Sequence, residues 1–229
     1  MEKNTSKDFD LVSCIMGCFM FVLASIMKPV TAIKNKINDY SDVKTTGILV
    51  VVIAFCRMII NLLGSMISTI FVKERVSFLS SDTKLKVSFE GLKNLDYFNL
   101  IVKQFIGFII VVAAVAGIYY VVAVVMKKTV NYFKLAAIVT VSFVPMFIAT
   151  FVSIIVAYIY APLSAFLIFA SLIYSLLTLV HCIDEEVKFD DKSFKVYFQT
   201  ICLTVIFIIT YYVLSNTISS VIGLGSLLK

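Results

Sequence analysis

Five apolar stretches, residues 47–72, 100–126, 134–160, 162–180 and 196–216, constrain this chain more than any other feature. Each approaches or exceeds the roughly 20 residues a helix needs to cross a bilayer. A water-soluble core of 229 residues could not absorb so much apolar surface, since 61% of the residues are hydrophobic and mean hydropathy is +1.02. The predicted fold class is therefore all-α, an integral membrane helical bundle of five transmembrane helices. A shorter apolar run, residues 11–27, adds a further helix that is either interfacial or a sixth span. The longest hydrophilic segment, Lys73 to Asn99, is too short to fold alone. The chain divides into residues 1–46, a cytoplasmic N-terminal segment, and residues 47–229, the bundle.

The segment 11–27 (LVSCIMGCFMFVLASIM) is long for the apolar part of a signal peptide, and no A-x-A cleavage site follows it. Ser13, Cys14, Gly17, Cys18, Ala24 and Ser25 make a small-residue face, with Ile15, Phe19, Val22 and Ile26 opposite. Pro29 limits extension on the C-terminal side. Cation placement orients the molecule. If residues 11–27 do not cross, twelve of the lysines and arginines in the loops and at the span ends lie on the N-terminal side and seven on the other. If they cross, the two sides are nearly equal, so the positive-inside rule favours five spans with the N-terminus inside and the C-terminus outside.

The net charge of +6 does not indicate nucleic-acid binding, because the lysines are dispersed over many loops and form no basic stripe. Arginine occurs only at positions 57 and 75, and with abundant Ile, Asn and Phe this composition suggests an AT-rich bacterial genome. The five cysteines lie in or at the ends of apolar stretches, where no disulfide framework is expected. Cys14 and Cys18, at i and i+4, have no further soft ligand nearby in sequence and read as packing residues. No cofactor or metal is expected.

Several local devices stand out. Pro145 inside span 134–160 removes a backbone hydrogen bond and predicts a helix kink. Only Ala161 separates that span from Pro162, which predicts a tight helical hairpin. The segment 73–99 predicts a short surface β-hairpin followed by a helical lead-in from Glu90. Ala113, Ala114, Ala116 and Gly117, and Thr200 with Thr204, predict helix–helix contact faces. There is no internal repeat and no inverted pair of broken helices of the transporter type.

Arg57 lies well inside the first span, where a cation is costly, and Asn61, Ser65, Ser68 and Thr69 follow it at helical spacing. The candidate binding face Arg57–Asn61–Ser65 either meets a partner, headgroup or substrate inside the bundle, or carries an arginine that snorkels to a headgroup. No acidic residue in any span could pair with it. The stretch HCIDEEVKFDDKSF gathers Asp184, Glu185, Glu186, Asp190 and Asp191 without EF-hand spacing and reads as a solvated acidic loop. His181, the single histidine, reads as interfacial. The motifs of intramembrane metalloproteases, aspartyl proteases and serine hydrolases are absent, and no catalytic residues are assigned.

YFKLAAIVTVSFVPMFIATFVSIIVAYIY, with its lysine–aromatic start and Ser142-x-x-Pro145 step, resembles the corresponding helix of bacterial Yip-family (Ypt/Rab-interacting protein-like) membrane proteins. LIYSLLTLVHCIDEEVKFDDKSFKVYFQTI is similar to that family's passage through a polar loop into the last span, here starting Lys195-Val196-Tyr197-Phe198. MKPVTAIKNKINDYSDVKTTGILVVVI is similar to its cytoplasmic K-P segment, and the resemblance spans residues 27–216. It implies a five-span bundle with a cytoplasmic N-terminus. The eukaryotic D-L-Y-G-P signature, belonging to relatives that bind Rab GTPases, is not present.

The expected function is that of a non-enzymatic accessory, organising or regulatory protein of the bacterial cytoplasmic membrane. Its partners would be the lipid bilayer and a membrane protein or a second copy, with no nucleic acid. Its working parts would be segment 11–45, the acidic last loop and the Arg57 face. The alternative is a small transporter or channel subunit with an export or immunity function, using the Arg57–Asn61–Ser65 face and the Pro145 kink as its path.

Overall fold

A computed structural model describes residues 11–75, 83–189 and 191–222. Residues 1–10, 76–82, Asp190 and residues 223–229 lie outside the described residues. The described chain is an all-α bundle with one small hairpin, and five of its helical stretches are long and apolar enough to cross a membrane.

Helix α1 (Leu11–Met27) turns at Lys28 into α2 (Pro29–Lys36), with Pro29 in the first turn, where its missing N–H costs nothing. A single 3-10 turn, Ile37–Asp39, leads to α3 (Val43–Ile70). Asp42 caps α3 by accepting from the Thr45 amide at 2.9 Å and from the Thr45 hydroxyl. The Thr45 hydroxyl, more than its amide, holds the Asp42 carboxyl below the usual carboxylate range. Strands β1 (Phe71–Arg75) and β2 (Thr83–Val87) pair antiparallel, with Phe71 opposite Val87, and the Ser88 amide donates back to the Ile70 carbonyl at 2.9 Å. A 3-10 segment, Glu90–Asn94, then leads into α4 (Tyr97–Val125), which Asp96 caps through the Asn99 amide at 3.0 Å. The expected hairpin and helical lead-in are thus both observed.

The third candidate span runs from Tyr132 to Ile159, with one irregular residue, Phe143, in its helix. Helix α5 (Tyr132–Ser142) stops at Phe143, and α6 (Val144–Ile159) starts anew with Pro145 in its first turn. Every residue from Leu135 to Ser142 is buried, so α5 forms the centre of the bundle, packed among α3, α4 and α7. Ala136 and Ala137 let neighbouring helices approach closely there. Only Tyr160 separates α6 from α7 (Ala161–Val187), and the two pack closely as the expected hairpin. Helix α8 (Lys192–Ile222) is the last.

Two expectations are corrected. Ala113 and Ala114 on α4, and Thr200 and Thr204 on α8, face outwards, and a Cβ added to Gly117 would meet nothing within 4 Å. The buried faces are bulky instead: Phe108, Val112, Val115 and Tyr119 on α4, with only Ala116 of the small set included, and Phe198 and Cys202 on α8. The rings among them meet other helices, Phe108 against Phe147 of α6 and Tyr119 against Phe198 of α8. The acidic run is likewise no solvated loop, since α7 continues about two turns beyond residue 180 and carries Asp184, Glu185 and Glu186.

Candidate functional site

Polar chemistry collects at two levels of the bundle. The first is the rim, where α2 meets the C-terminal end of α7 and the start of α8. Three consecutive helical residues project about 100° apart, so the Asp184-Glu185-Glu186 run reaches three different neighbours. Asp184, largely buried, pairs with Lys195 Nζ of α8 at 3.1 Å and accepts from Gln199 Nε2 at 2.7 Å. Glu185 meets Lys34 of α2 at 3.3 Å and lies 3.6 Å from His181 one turn earlier. Glu186 pairs with Lys134 of α5 at 3.3 Å, and Lys134 also donates to Asn38 at 2.8 Å. Tyr119 of α4 extends the network by donating to Gln199 Oε1 at 3.1 Å. Exposed pairs such as Lys34–Glu185 contribute about 0–1 kcal/mol each, so the buried Asp184–Gln199–Tyr119 chain is the stronger tie.

Between these residues lies a cleft of about 600 Å³, with Ile33, Ile37 and Ile138 on its apolar side and Lys34, Lys134 and Glu186 on its charged side. Above it, α1 is seated by the stripe Cys18, Phe21 and Ser25. Phe21 stacks on Tyr40 at 5.1 Å, and the Tyr40 hydroxyl donates to Cys18 Sγ at 3.7 Å. Burial beneath α1 raises the Tyr40 phenol above its ordinary pKa, and Cys18 adds to the shift. The opposite face of α1, with Met16, Phe19, Met20, Leu23 and Met27, is exposed.

The second level is inside the bundle. Arg57 is close to the middle of α3, about 20 Å from either end at 1.5 Å per residue. Its guanidinium carbon stands 5.1 Å from the Phe108 ring centre on α4 and 5.2 Å from that of Phe147 on α6. The two rings meet edge to face at 5.4 Å and 81°. A desolvated cation–π contact is worth about 2 kcal/mol and an arginine at a span's centre costs about 2.5–3.5 kcal/mol on insertion scales, so the clamp offsets much of the penalty.

Asn61, one turn further along α3, donates to Gln104 Oε1 of α4 at 2.9 Å. Ser65 is half-buried, and its carbonyl accepts from the hydroxyls of Ser68 at 3.0 Å and Thr69 at 2.7 Å. The structure thus brings Arg57 and Asn61 together with α4, while the hydroxyls beyond them bond back to their own helix. Pro145 lies in the first turn of α6, two residues before Phe147. Gln104, Phe108 and Gln199 escaped the sequence reading. The available signal was an isolated amide inside an otherwise apolar span, with Gln104 and Phe108 at i and i+4.

None of the curated proteins and none of the solved structures matches this chain. The family model described as the Yip1 domain matches residues 15–214, which run from α1 into α8 and include both polar levels. By that match the chain belongs to the Yip1 domain family, and it is a multi-pass integral membrane protein.

Proposed function

We propose that this protein is a non-enzymatic accessory factor of the bacterial cytoplasmic membrane, organising or regulating a membrane-protein partner. The observation that carries this reading is α1, a helix added outside the five-span bundle. It is docked by one narrow stripe and presents a methionine-rich apolar face on the other side. Methionine adapts to irregular partner surfaces better than branched residues do. The arm is also wired to the bundle, since α2 carries Lys34 to Glu185 and the turn after it carries Asn38 to Lys134. A partner engaging α1 would therefore act on α5 and α7 through the rim.

The test is purification from native membrane in copolymer discs, with a photocrosslinker in place of Met20. A stoichiometric membrane-protein adduct, lost when Met16 and Leu23 are both replaced by lysine while the crosslinker stays at position 20, is the expected result. Recovery of the protein alone, with crosslinks to lipid only, would overturn the reading. Cysteines placed at Asn61 and Ser65 test the transport alternative: a packed bundle leaves them unlabelled by aqueous maleimide, whereas a water-filled path labels both.

A further inference from the structure

Arg57 faces inwards. The membrane-facing stripe of α3 is Val51, Phe55, Ile59 and Leu63, all exposed. Arg57 lies on the other side, in helical register with the buried Thr46, Val50, Ile53 and Gly64. Phe108 and Phe147 pack against the guanidinium from α4 and α6. A guanidinium carries its five N–H donors in its own plane, so contact with ring faces leaves donors at the edge unspent. Among the described residues, no acceptor or carboxylate engages these donors. One turn away, Gln104 uses its oxygen for Asn61 and keeps its own NH₂ group for a further acceptor. Beside them the α6 residues Phe147, Phe151 and Ile154, which share one face of the helix, are only partly buried, which leaves an apolar lane along it.

We infer that Arg57 anchors an intramembrane binding site for an amphiphile carrying an oxyanion, either a carboxylate or a phosphate. The planar fork of arginine takes two oxygens of such a group edge-on, which a lysine cannot reproduce. Gln104 supplies a further donor, and the acyl chain lies along α6. The depth of Arg57 selects a ligand that arrives laterally within the membrane over an ion that must leave water. Its inward direction excludes a partner helix docked on the Val51–Leu63 stripe. The inference stands apart from the α1 docking surface and does not depend on it.

The chain contains no tryptophan, so Phe147→Trp introduces a single indole against the guanidinium. The full-length variant in phosphatidylcholine discs is titrated with dibrominated stearate, its uncharged methyl ester, phosphatidic acid with brominated chains, and inorganic phosphate. The charged amphiphiles should quench the indole at mole fractions about tenfold lower than the ester, and Arg57→Gln in the same background should abolish the difference. Arg57→Lys, which keeps the charge and loses the fork, should retain only part of it. Preference for the stearate alone assigns a carboxylate ligand, and preference for phosphatidic acid assigns a lipid phosphate. Equal quenching by acid and ester, or a preference that survives Arg57→Gln, overturns the site. Protection by inorganic phosphate without any amphiphile preference also overturns it, in favour of a free oxyanion. The acid–ester contrast is read in the parent variant, so it decides the matter even if the arginine substitutions fail to fold.

Discussion

At the scale of single residues, neighbouring carboxylates have very different value. Asp184 is 8% exposed and holds two partners on α8, whereas Glu185 is 37% exposed and meets only Lys34 and His181. Asp184→Ala should cost about 1–3 kcal/mol by leaving Gln199 and Lys195 short of a buried acceptor, while Glu185→Ala should cost less than about 1 kcal/mol. Thermal unfolding of the two variants in the same detergent checks the order, and equal losses would sink it. Asp42 provides a pH test. Its folded pKa is lowered by the Thr45 hydroxyl and amide, so its contribution is present above the unfolded value of about 4 and is lost as pH falls through the folded pKa. Asp42→Asn should therefore differ from the parent near neutrality, and the difference should shrink on acidification below about pH 4. The acidic run was legible in the sequence as a cluster, but its ion pairs were not. Which neighbour each carboxylate meets depends on α7 continuing through residues 184–186, and on which helices flank it there.

At the scale of elements, Gly64 lies where α3 packs against Ile154 of α6. A Cβ there would meet Ile154 Cδ1, the movable end of a flexible side chain. Gly64→Ala should consequently be nearly neutral, since Ile154 can turn aside. Gly64→Leu should force the helices apart at about 1–3 kcal/mol, and a melting series separates the two. Pro145 allows a sharper contrast. A proline strained in a helix interior would yield about 3 kcal/mol on replacement by alanine. In the first turn of α6, Pro145→Ala should instead be neutral or lose about 0.4–1 kcal/mol through the unfolded chain. A large gain in melting temperature would show that the break is strained. The proline marked the position in the sequence. The break at Phe143 follows from Pro145 itself, which has no N–H to donate and crowds the carbonyl four residues back, that of Val141.

At the scale of the whole molecule, the geometry of α1 bears on how many times the chain crosses the membrane. Cys18 and Phe21 are pinned to Tyr40, which precedes the cap of α3 at the rim. Leu11 is seven residues before Cys18, about 10 Å of helix, against a hydrocarbon thickness of about 30 Å. The expected topology is therefore five crossings, with α1 held near the rim and the β-hairpin on the opposite side. Single cysteines at Val12 and Lys28 in a background lacking the native thiols should react with an impermeant maleimide only after the membrane is opened, and one at Lys86 should react in intact cells. Labelling of Val12 and Lys86 from the same side would overturn this arrangement.

The sequence alone determined that the chain is a polytopic helical bundle, because apolar length is a one-dimensional property that a bilayer reads directly. It also located the hairpin, the proline break and the tight α6–α7 connection, each set by residues adjacent in the chain. Tertiary structure decided the rest. Ala113, Ala114 and Gly117 look like a packing face by composition, yet the buried side of α4 carries Phe108 and Tyr119, whose partners come from α6 and α8. Arg57 was visible as a costly cation, but the two rings that hold it come from helices 51 and 90 residues further along the chain. Such a site is invisible to local pattern, because its partners are selected by helix packing and not by spacing.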